Sequence, residues 1–166
     1  AEVPEDRAQH GTVDVVITTM NRPDFCAALL SQVGEDEVLR PYLDTVFVLE
    51  QGTDKVTDSP EFAKAESALG DTLRVIEQGN LGGSGGYARG QLESLRKGTA
   101  TYAMMMDDDV GCEPEGIIRA ITFGDLARRR RARLPRRQLL RVGRTEAAEH
   151  HVQNRAVHRA AHDDAQ

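Results

Sequence analysis

The stretch Tyr102-Ala-Met-Met-Met-Asp-Asp-Asp109 decides how this chain is expected to fold. Its apolar run is typical of a buried strand, and three acidic residues follow at once. The carboxyl ends of strands in an open α/β sheet are where such sheets bind ligands. Two unit charges ~4 Å apart repel by about 4 kcal/mol at an effective dielectric of ~20, and a divalent cation relieves such repulsion. The alternative is a solvated acidic turn.

Further strands and helices alternate along the chain before and after this stretch. Apolar, β-branched runs predict strands at Val13–Thr19, Thr45–Leu49 and Thr72–Ile76. Apolar residues at helical spacing predict helices over 25–33, 62–69, 87–97 and 113–127. In the third helix, Leu92 and Leu95 are expected to face inward, and Gly98 to end it. The alternation predicts an α/β fold with a parallel sheet and helices on both faces.

A glycine-rich segment, Gly79-Asn-Leu-Gly-Gly-Ser-Gly-Gly86, follows the third of these strands. We interpret it as a loop that lets the backbone approach a ligand and leads into a helix whose free N–H groups favour phosphate. Gly83-Ser-Gly-Gly-Tyr-Ala88 also satisfies the dinucleotide fingerprint, with Asp107 about twenty residues further on. An NAD(P)- or flavin-binding Rossmann oxidoreductase is therefore the alternative function. Such a fingerprint normally follows the first strand, whereas two further strands come before the strand that this one follows, and the acid belongs to a triplet. Both departures favour a phosphate or sugar ligand.

Arg22 follows the first strand and is expected at the same edge of the sheet as the acids and the glycine segment. Its guanidinium suits bidentate phosphate contacts, whereas a surface pair with Asp24 is the alternative. Glu50-Gln51-Gly52 ends the second strand at that edge. These residues either contact a nucleotide or form an ordinary turn.

Charge is distributed unevenly, which indicates a boundary near residue 129. Residues 1–123 carry 10 Lys/Arg against 22 Asp/Glu, whereas residues 124–166 carry 11 Arg against 5 Asp/Glu and no aromatic residue. We predict a linker over 1–11, a domain over 12–129 and an Arg-rich tail over 130–166. The tail is expected to be disordered or helical. Its composition suits an arm for nucleic acid or an anionic membrane, but it is more typical of a shifted reading frame in a GC-rich gene.

The motifs together resemble family 2 glycosyltransferases, and most closely the actinobacterial galactofuranosyltransferases of cell-wall galactan synthesis. The resemblance is carried by Val16-Ile-Thr-Thr-Met-Asn-Arg-Pro23, by Gln78-Gly-Asn-Leu-Gly-Gly-Ser-Gly-Gly-Tyr-Ala-Arg89 and by Met106-Asp-Asp-Asp-Val110. It covers roughly residues 12–129. It implies a GT-A fold, a Rossmann-like sheet that binds a nucleotide-sugar, and transfer of galactofuranose from UDP-galactofuranose with inversion.

The resemblance also implies roles for individual residues. Asp107 and Asp109 resemble the D-x-D pair that binds Mn²⁺ or Mg²⁺, and Asp107 and Asp108 lie where such enzymes contact the donor. Thr18 and Arg22 resemble uridine- and phosphate-binding positions, and Asn80 resembles an asparagine beside the nucleotide-sugar. The implied partners are UDP-galactofuranose and a glycan or glycolipid acceptor, without nucleic acid. The implied location is cytoplasmic, at or near the inner face of the membrane, with peripheral association.

The general base of such enzymes lies well beyond the D-x-D segment, where this chain has its Arg-rich tail. No catalytic base can be assigned here for that reason. The sequence therefore predicts an incomplete GT-A domain, a truncated form of the enzyme.

Overall fold

A parallel β-sheet with helices on both faces forms the core of the protein. The structure, a computed structural model, describes residues 10–130 and 138–141. The strands lie in the order β3-β2-β1-β4-β5 and are all parallel to their neighbours. Their bounds are β1 Val13–Thr19, β2 Leu43–Glu50, β3 Leu73–Glu77, β4 Tyr102–Asp107 and β5 Gln138–Arg141. The predicted α/β class and parallel sheet are confirmed.

Four α-helices connect or follow these strands in the described residues. They are α1 Pro23–Glu35, α2 Phe62–Leu69, α3 Gly82–Lys97 and α4 Pro114–Arg130, and short 3-10 helices lie at Arg40–Tyr42, Val56–Asp58 and Gly70–Thr72. Pro23 begins α1 because its fixed φ suits the first helical position. Gly98 ends α3 with φ 76° and donates its N–H to the Ser94 carbonyl, as predicted.

The sheet has an apolar cluster on each face. On one face, residues of α1, α2 and α4 pack against alternate β1 residues such as Val15 and Ile17. On the other face, Val16 joins Phe47, Leu49 and Met105. This division follows from the two-residue period of a strand, and it confirms that helices cover both faces.

Helix α3 packs on the sheet through its smallest residues, so the prediction for Leu92 and Leu95 was wrong. Those two leucines are 42% and 60% exposed, whereas the buried residues of the helix are Gly86, Gly90 and Ser94. A Cβ added to Gly90 would lie 2.1 Å from Val16 Cγ1. The small residues recur every four positions, so they form one face that lets the helix axis approach β1 and β2 closely.

A second correction concerns the Arg-rich tail. It was expected to be disordered or helical, but Gln138–Arg141 form β5, parallel to β4. This strand pairs with the β4 edge, which would otherwise be open. Arg130 ends α4, and the other residues of the proposed tail, like residues 1–9 of the linker, lie outside the described residues.

Among the described helices, none combines the length and the apolar character that crossing a bilayer requires.

Candidate functional site

One cavity of about 210 Å³ lies at the carboxyl edge of the sheet, where the sequence predicted a site. It is bordered by the ends of β1 and β4, the residues after β2 and the start of α3. Parallel strands bring these distant segments to the same edge. The residues that line it are Thr18, Thr19, Met20, Arg22, Gln51, Asn80, Gly82, Gly83, Asp107 and Asp108. Five of the six predicted site residues therefore line the cavity, and the sixth, Asp109, contacts one of them.

The three acidic side chains at and directly after the end of β4 have three different partners. Asp107 accepts a hydrogen bond from the Tyr87 hydroxyl of α3. Asp108 is buried and accepts a hydrogen bond of 2.7 Å from the Thr19 hydroxyl. Asp109 is exposed and accepts one of 2.7 Å from Arg22 Nη1. The repulsion expected from the sequence is therefore moderated by three separate donors.

Burial sets the protonation behaviour of Asp108. Loss of solvation raises the pKa of this carboxyl above its ordinary value, and the neighbouring acids raise it further. The hydrogen bond from Thr19 and the charge of Arg22, whose Nη1 lies 3.8 Å from Asp108 Oδ1, act in the opposite direction. Asp107 and Asp109 are the more accessible carboxylates of the three.

Arg22 reaches across the site to the acids. The alternative pairing with Asp24 is wrong, because Asp24 instead accepts a hydrogen bond of 2.8 Å from Ser59 Oγ. The guanidinium carbon of Arg22 also lies 5.8 Å from the centre of the Phe25 ring, which adds a cation–π contact. Arg22 is thus held at the rim of the cavity with part of its surface exposed.

Thr18 brings a buried hydroxyl to the cavity. In the described structure this oxygen has no hydrogen-bond partner. A Cβ added to Gly86 would lie 2.3 Å from Thr18 Cγ2 and 2.9 Å from its hydroxyl oxygen. Glycine at position 86 is therefore needed for the first turn of α3 to approach Thr18, and an unsatisfied hydroxyl beside a cavity is a candidate ligand contact.

Gln51 fixes the segment that leads into α3. Its side-chain oxygen accepts hydrogen bonds from Leu81 N at 2.8 Å and Gln78 Nε2 at 3.2 Å, and its Nε2 donates to the Gly82 carbonyl at 3.1 Å. Gln51 also lines the cavity, and its contact with a nucleotide stays a prediction.

The glycine-rich segment differs from the prediction because its second half is helical. Residues from Gly82 onward belong to α3, and only the residues before it form a loop. Asn80 is exposed, and its Oδ1 accepts a hydrogen bond of 3.0 Å from Gly82 N. Gly82 and Gly83 therefore present the N-terminal backbone of a helix to the cavity.

Sequence reasoning missed Thr19 and Tyr87, which hold two of the acids. Thr19 is adjacent to Thr18 and was assigned only to the strand. Tyr87 stands inside the glycine motif, twenty residues before Asp107, and its aromatic hydroxyl in an otherwise small-residue segment was the signal available.

The carboxylates at the site suit a cation that is also coordinated by a bound ligand. Within the described residues, no group of three His, Cys, Asp or Glu side chains is arranged to hold a metal ion. Mg²⁺, however, is commonly bound by one or two carboxylates together with substrate phosphates and water. Asp107 and Asp109 fit that pattern, and they do not form a closed metal site of protein ligands alone.

Comparison with known proteins gives a consistent result. The chain is 40% identical over 116 residues to galactofuranosyltransferase GlfT2 of Mycolicibacterium smegmatis, a match that covers 70% of this chain and 18% of that protein. It is 37% identical over 120 residues to galactofuranosyltransferase GlfT2 of Mycobacterium tuberculosis, covering 71% and 19%. No family model matches the chain.

The match therefore spans about a fifth of the length of these curated relatives. The shared segment is long enough, and the identity high enough, to confirm the resemblance to galactofuranosyltransferases. The protein is thus a relative of the galactofuranosyltransferases through about 70% of its own chain.

Proposed function

We propose that this protein is the donor-binding part of an inverting galactofuranosyltransferase with a GT-A fold. It would bind UDP-galactofuranose and serve transfer of galactofuranose to a cell-wall glycan or glycolipid. The observation that carries the proposal is the convergence of three separate motifs, around Arg22, Asn80 and Asp107, on one cavity at the edge of the sheet. The relatedness to galactofuranosyltransferases supports the sugar and the reaction class.

Each residue of the site has a proposed role that follows from its chemistry. Arg22 is the cation at the cavity rim and binds the diphosphate or uridine, because a guanidinium forms charge-assisted bonds with phosphate oxygens. The Thr18 hydroxyl takes its missing hydrogen-bond partner from the same part of the ligand. Asn80, beside the start of α3, contacts the nucleotide-sugar, and the backbone N–H groups there favour its phosphates.

The acids are proposed to act on the donor through Mn²⁺ or Mg²⁺. Asp107 and Asp109 would hold the cation, and Asp107 and Asp108 would lie against the donor ribose or sugar. When bound, such a cation neutralises the negative charge that develops on the departing diphosphate. Arg22 already balances Asp109 in the described structure, so the same guanidinium can turn towards phosphate when a cation takes over that carboxylate.

The acceptor side of the reaction needs a general base near the acceptor hydroxyl. The chain matches about a fifth of the length of its curated relatives, and none of the site residues is proposed as that base. Donor binding is therefore the property of this chain that tests the proposal.

The test is calorimetric titration of the full chain with UDP, in Mn²⁺ and in EDTA. We expect binding that requires Mn²⁺ and that weakens at least about tenfold in Asp109→Asn and in Arg22→Gln, the loss expected when a charge-assisted contact is removed. Asp71→Asn, an exposed change in the turn before β3, is the matched control and should bind UDP as the unchanged protein does.

Equal UDP affinity in Mn²⁺ and EDTA would contradict the metal-dependent donor site. Binding of NAD(P) or a flavin without metal, in place of UDP, would favour the oxidoreductase suggested by the Gly83–Ala88 fingerprint.

A further inference from the structure

Asn21 has an unusual backbone conformation immediately before Arg22. Its φ is 52°, and it is the one non-glycine residue of the described chain with positive φ. Asparagine tolerates this left-handed region better than most residues, but the conformation still has to be held by its surroundings.

The side chain of Asn21 supplies that support from the other side of the site. Its Oδ1 accepts hydrogen bonds from Thr53 N at 2.7 Å, from Asp54 N at 3.1 Å and from the Thr53 hydroxyl at 3.3 Å. One amide oxygen therefore ties the turn after β1 to the turn after β2. The regular pairing of these strands ends just before it, with Gln51 N donating to the Thr19 carbonyl at 3.0 Å.

Gly52 completes this contact because nothing larger fits. A Cβ at this position would lie 2.1 Å from Asn21 Oδ1 and 2.5 Å from Asn21 N. The second of these atoms is backbone, so a rotation of the Asn21 side chain does not remove the clash. Asn21 and Gly52 thus form a contact of fixed geometry, which we call the latch.

The latch adjoins the backbone of Arg22, because Asn21 directly precedes Arg22 in the chain. Arg22 is the residue before α1, with φ −137° and ψ 54°, and its carbonyl accepts the Cys26 N–H at 3.1 Å. Helix α1 therefore holds Arg22 on one side and the latch holds it on the other. The hydrogen bonds of Asn21 are exposed to solvent, where they contribute little to overall stability, so their main effect is on local geometry.

We propose that Asn21 and Gly52 are positioning residues that aim the Arg22 guanidinium at the acids and at the anionic part of the ligand. This inference rests on the proposed function for the identity of the ligand. It does not rest on it for the contact between Arg22 and Asp109, which the protein makes by itself at 2.7 Å.

Two substitutions at position 21 separate the hydrogen bonds from the backbone conformation. Asn21→Gly adopts positive φ freely but loses the acceptor oxygen. Asn21→Asp keeps an acceptor oxygen and tolerates the same conformation. We expect UDP affinity in Mn²⁺ to fall about tenfold in Asn21→Gly, as misplacement of a binding group produces, and to stay within about threefold in Asn21→Asp.

Gly52→Ala tests the other half of the latch, and Gly116→Ala is its matched control. A Cβ at position 116 meets no atom within 4 Å, and the residue lies in α4 and does not line the cavity. The first substitution should weaken binding as Asn21→Gly does, and the second should leave it unchanged. Equal effects of the two alanines would overturn the role of Gly52.

A double-variant comparison shows whether the latch acts through Arg22. In an Arg22→Gln background, Asn21→Gly should cause no further loss of UDP affinity, because the group it positions is gone. A full additional tenfold loss would mean that Asn21 acts on something else, and the proposal would be wrong.

The guanidinium NMR signals of Arg22, recorded without nucleotide, keep the two proposals distinguishable. Asn21→Gly should move these signals towards those of a solvated arginine, and Asn21→Asp should not. If they do not move, the latch is refuted whatever UDP does. If they move but the unchanged protein binds no UDP, the proposed function fails and the latch stands.

Discussion

The Thr19 hydroxyl donates a hydrogen bond of 2.7 Å to Asp108 Oδ2, and both residues are buried. The two lie 89 positions apart, one at the end of β1 and the other directly after β4. A buried carboxylate without such a donor is costly, so this contact joins the central strand to the acidic segment of the site.

Thr19→Val removes the donor and leaves the Asp108 carboxylate poorly satisfied in a buried position. We expect the free energy of unfolding to fall by about 1–3 kcal/mol, measured by urea denaturation. Thr18→Val is the neighbouring control, since the Thr18 hydroxyl has no partner in the described structure and its loss should not lower stability. Equal destabilisation by both substitutions would contradict this account.

Thr18→Val should nevertheless weaken UDP binding, because Thr18 lines the cavity and its hydroxyl has no partner within the described structure. Loss of one neutral hydrogen bond is worth about 1 kcal/mol, so the dissociation constant in Mn²⁺ should rise about fivefold. The measurement is calorimetric titration beside the unchanged protein. If Thr18→Val is as stable as the unchanged protein and binds UDP equally well, Thr18 does not contact the ligand.

Gly90→Ala tests the close approach of α3 to the sheet. The added Cβ would lie 2.1 Å from Val16 Cγ1, a β-branched side chain within the strand that cannot rotate away freely. Overpacking of this kind costs about 1–3 kcal/mol, which urea denaturation detects. In Gly116→Ala the new Cβ meets nothing within 4 Å, so that helical substitution should raise stability by up to about 1 kcal/mol. If both alanine substitutions raised stability, the tight contact between Gly90 and Val16 would be contradicted.

The two thiols should be unreactive while the protein is folded. Burial, reinforced by the charges of nearby acids, raises the pKa of Cys26 to about 12 and that of Cys112 to about 11. Because only the thiolate reacts, labelling with iodoacetamide at pH 8 should be far slower in the native protein than in urea. The folded pKa values exceed that of an ordinary thiol, so the unfolded chain loses these protons first and stability should fall as pH rises above about 9. Rapid native labelling of Cys26 would contradict its burial.

The sheet was predictable because buried parallel strands are nearly continuous apolar runs, and β1 and β4 both fit that pattern. The orientation of α3 was not predictable in the same way, because the spacing of its apolar residues indicated that Leu92 and Leu95 face the sheet. The packing of α3 instead depends on how closely its backbone approaches β1. Glycine residues allow that close approach, and hydropathy does not reveal it.

The same distinction holds for the site, where the positions at strand ends were predictable and the side-chain contacts between segments were not. The convergence of Arg22, Asp107 and the glycine-rich segment was predicted because topology brings strand ends to one edge, whereas the role of Asn80 was implied by the family resemblance. The contacts of Tyr87 with Asp107 and of Asn21 with Thr53 were not predictable, since they depend on side-chain directions across segments that one sequence does not relate.

The place of β1 between β2 and β4 also bears on how the protein is made. A ribosome releases the chain from its N-terminus, so β1 and β2 are available to pair well before Tyr102–Asp107 have emerged. During that interval one side of β1 is an unpaired strand edge of strongly apolar residues, the kind of surface that chaperones protect. Nascent chains halted before residue 102 should therefore be the ones most prone to aggregate, and those halted well past residue 109 should be the first to carry a ligand cavity.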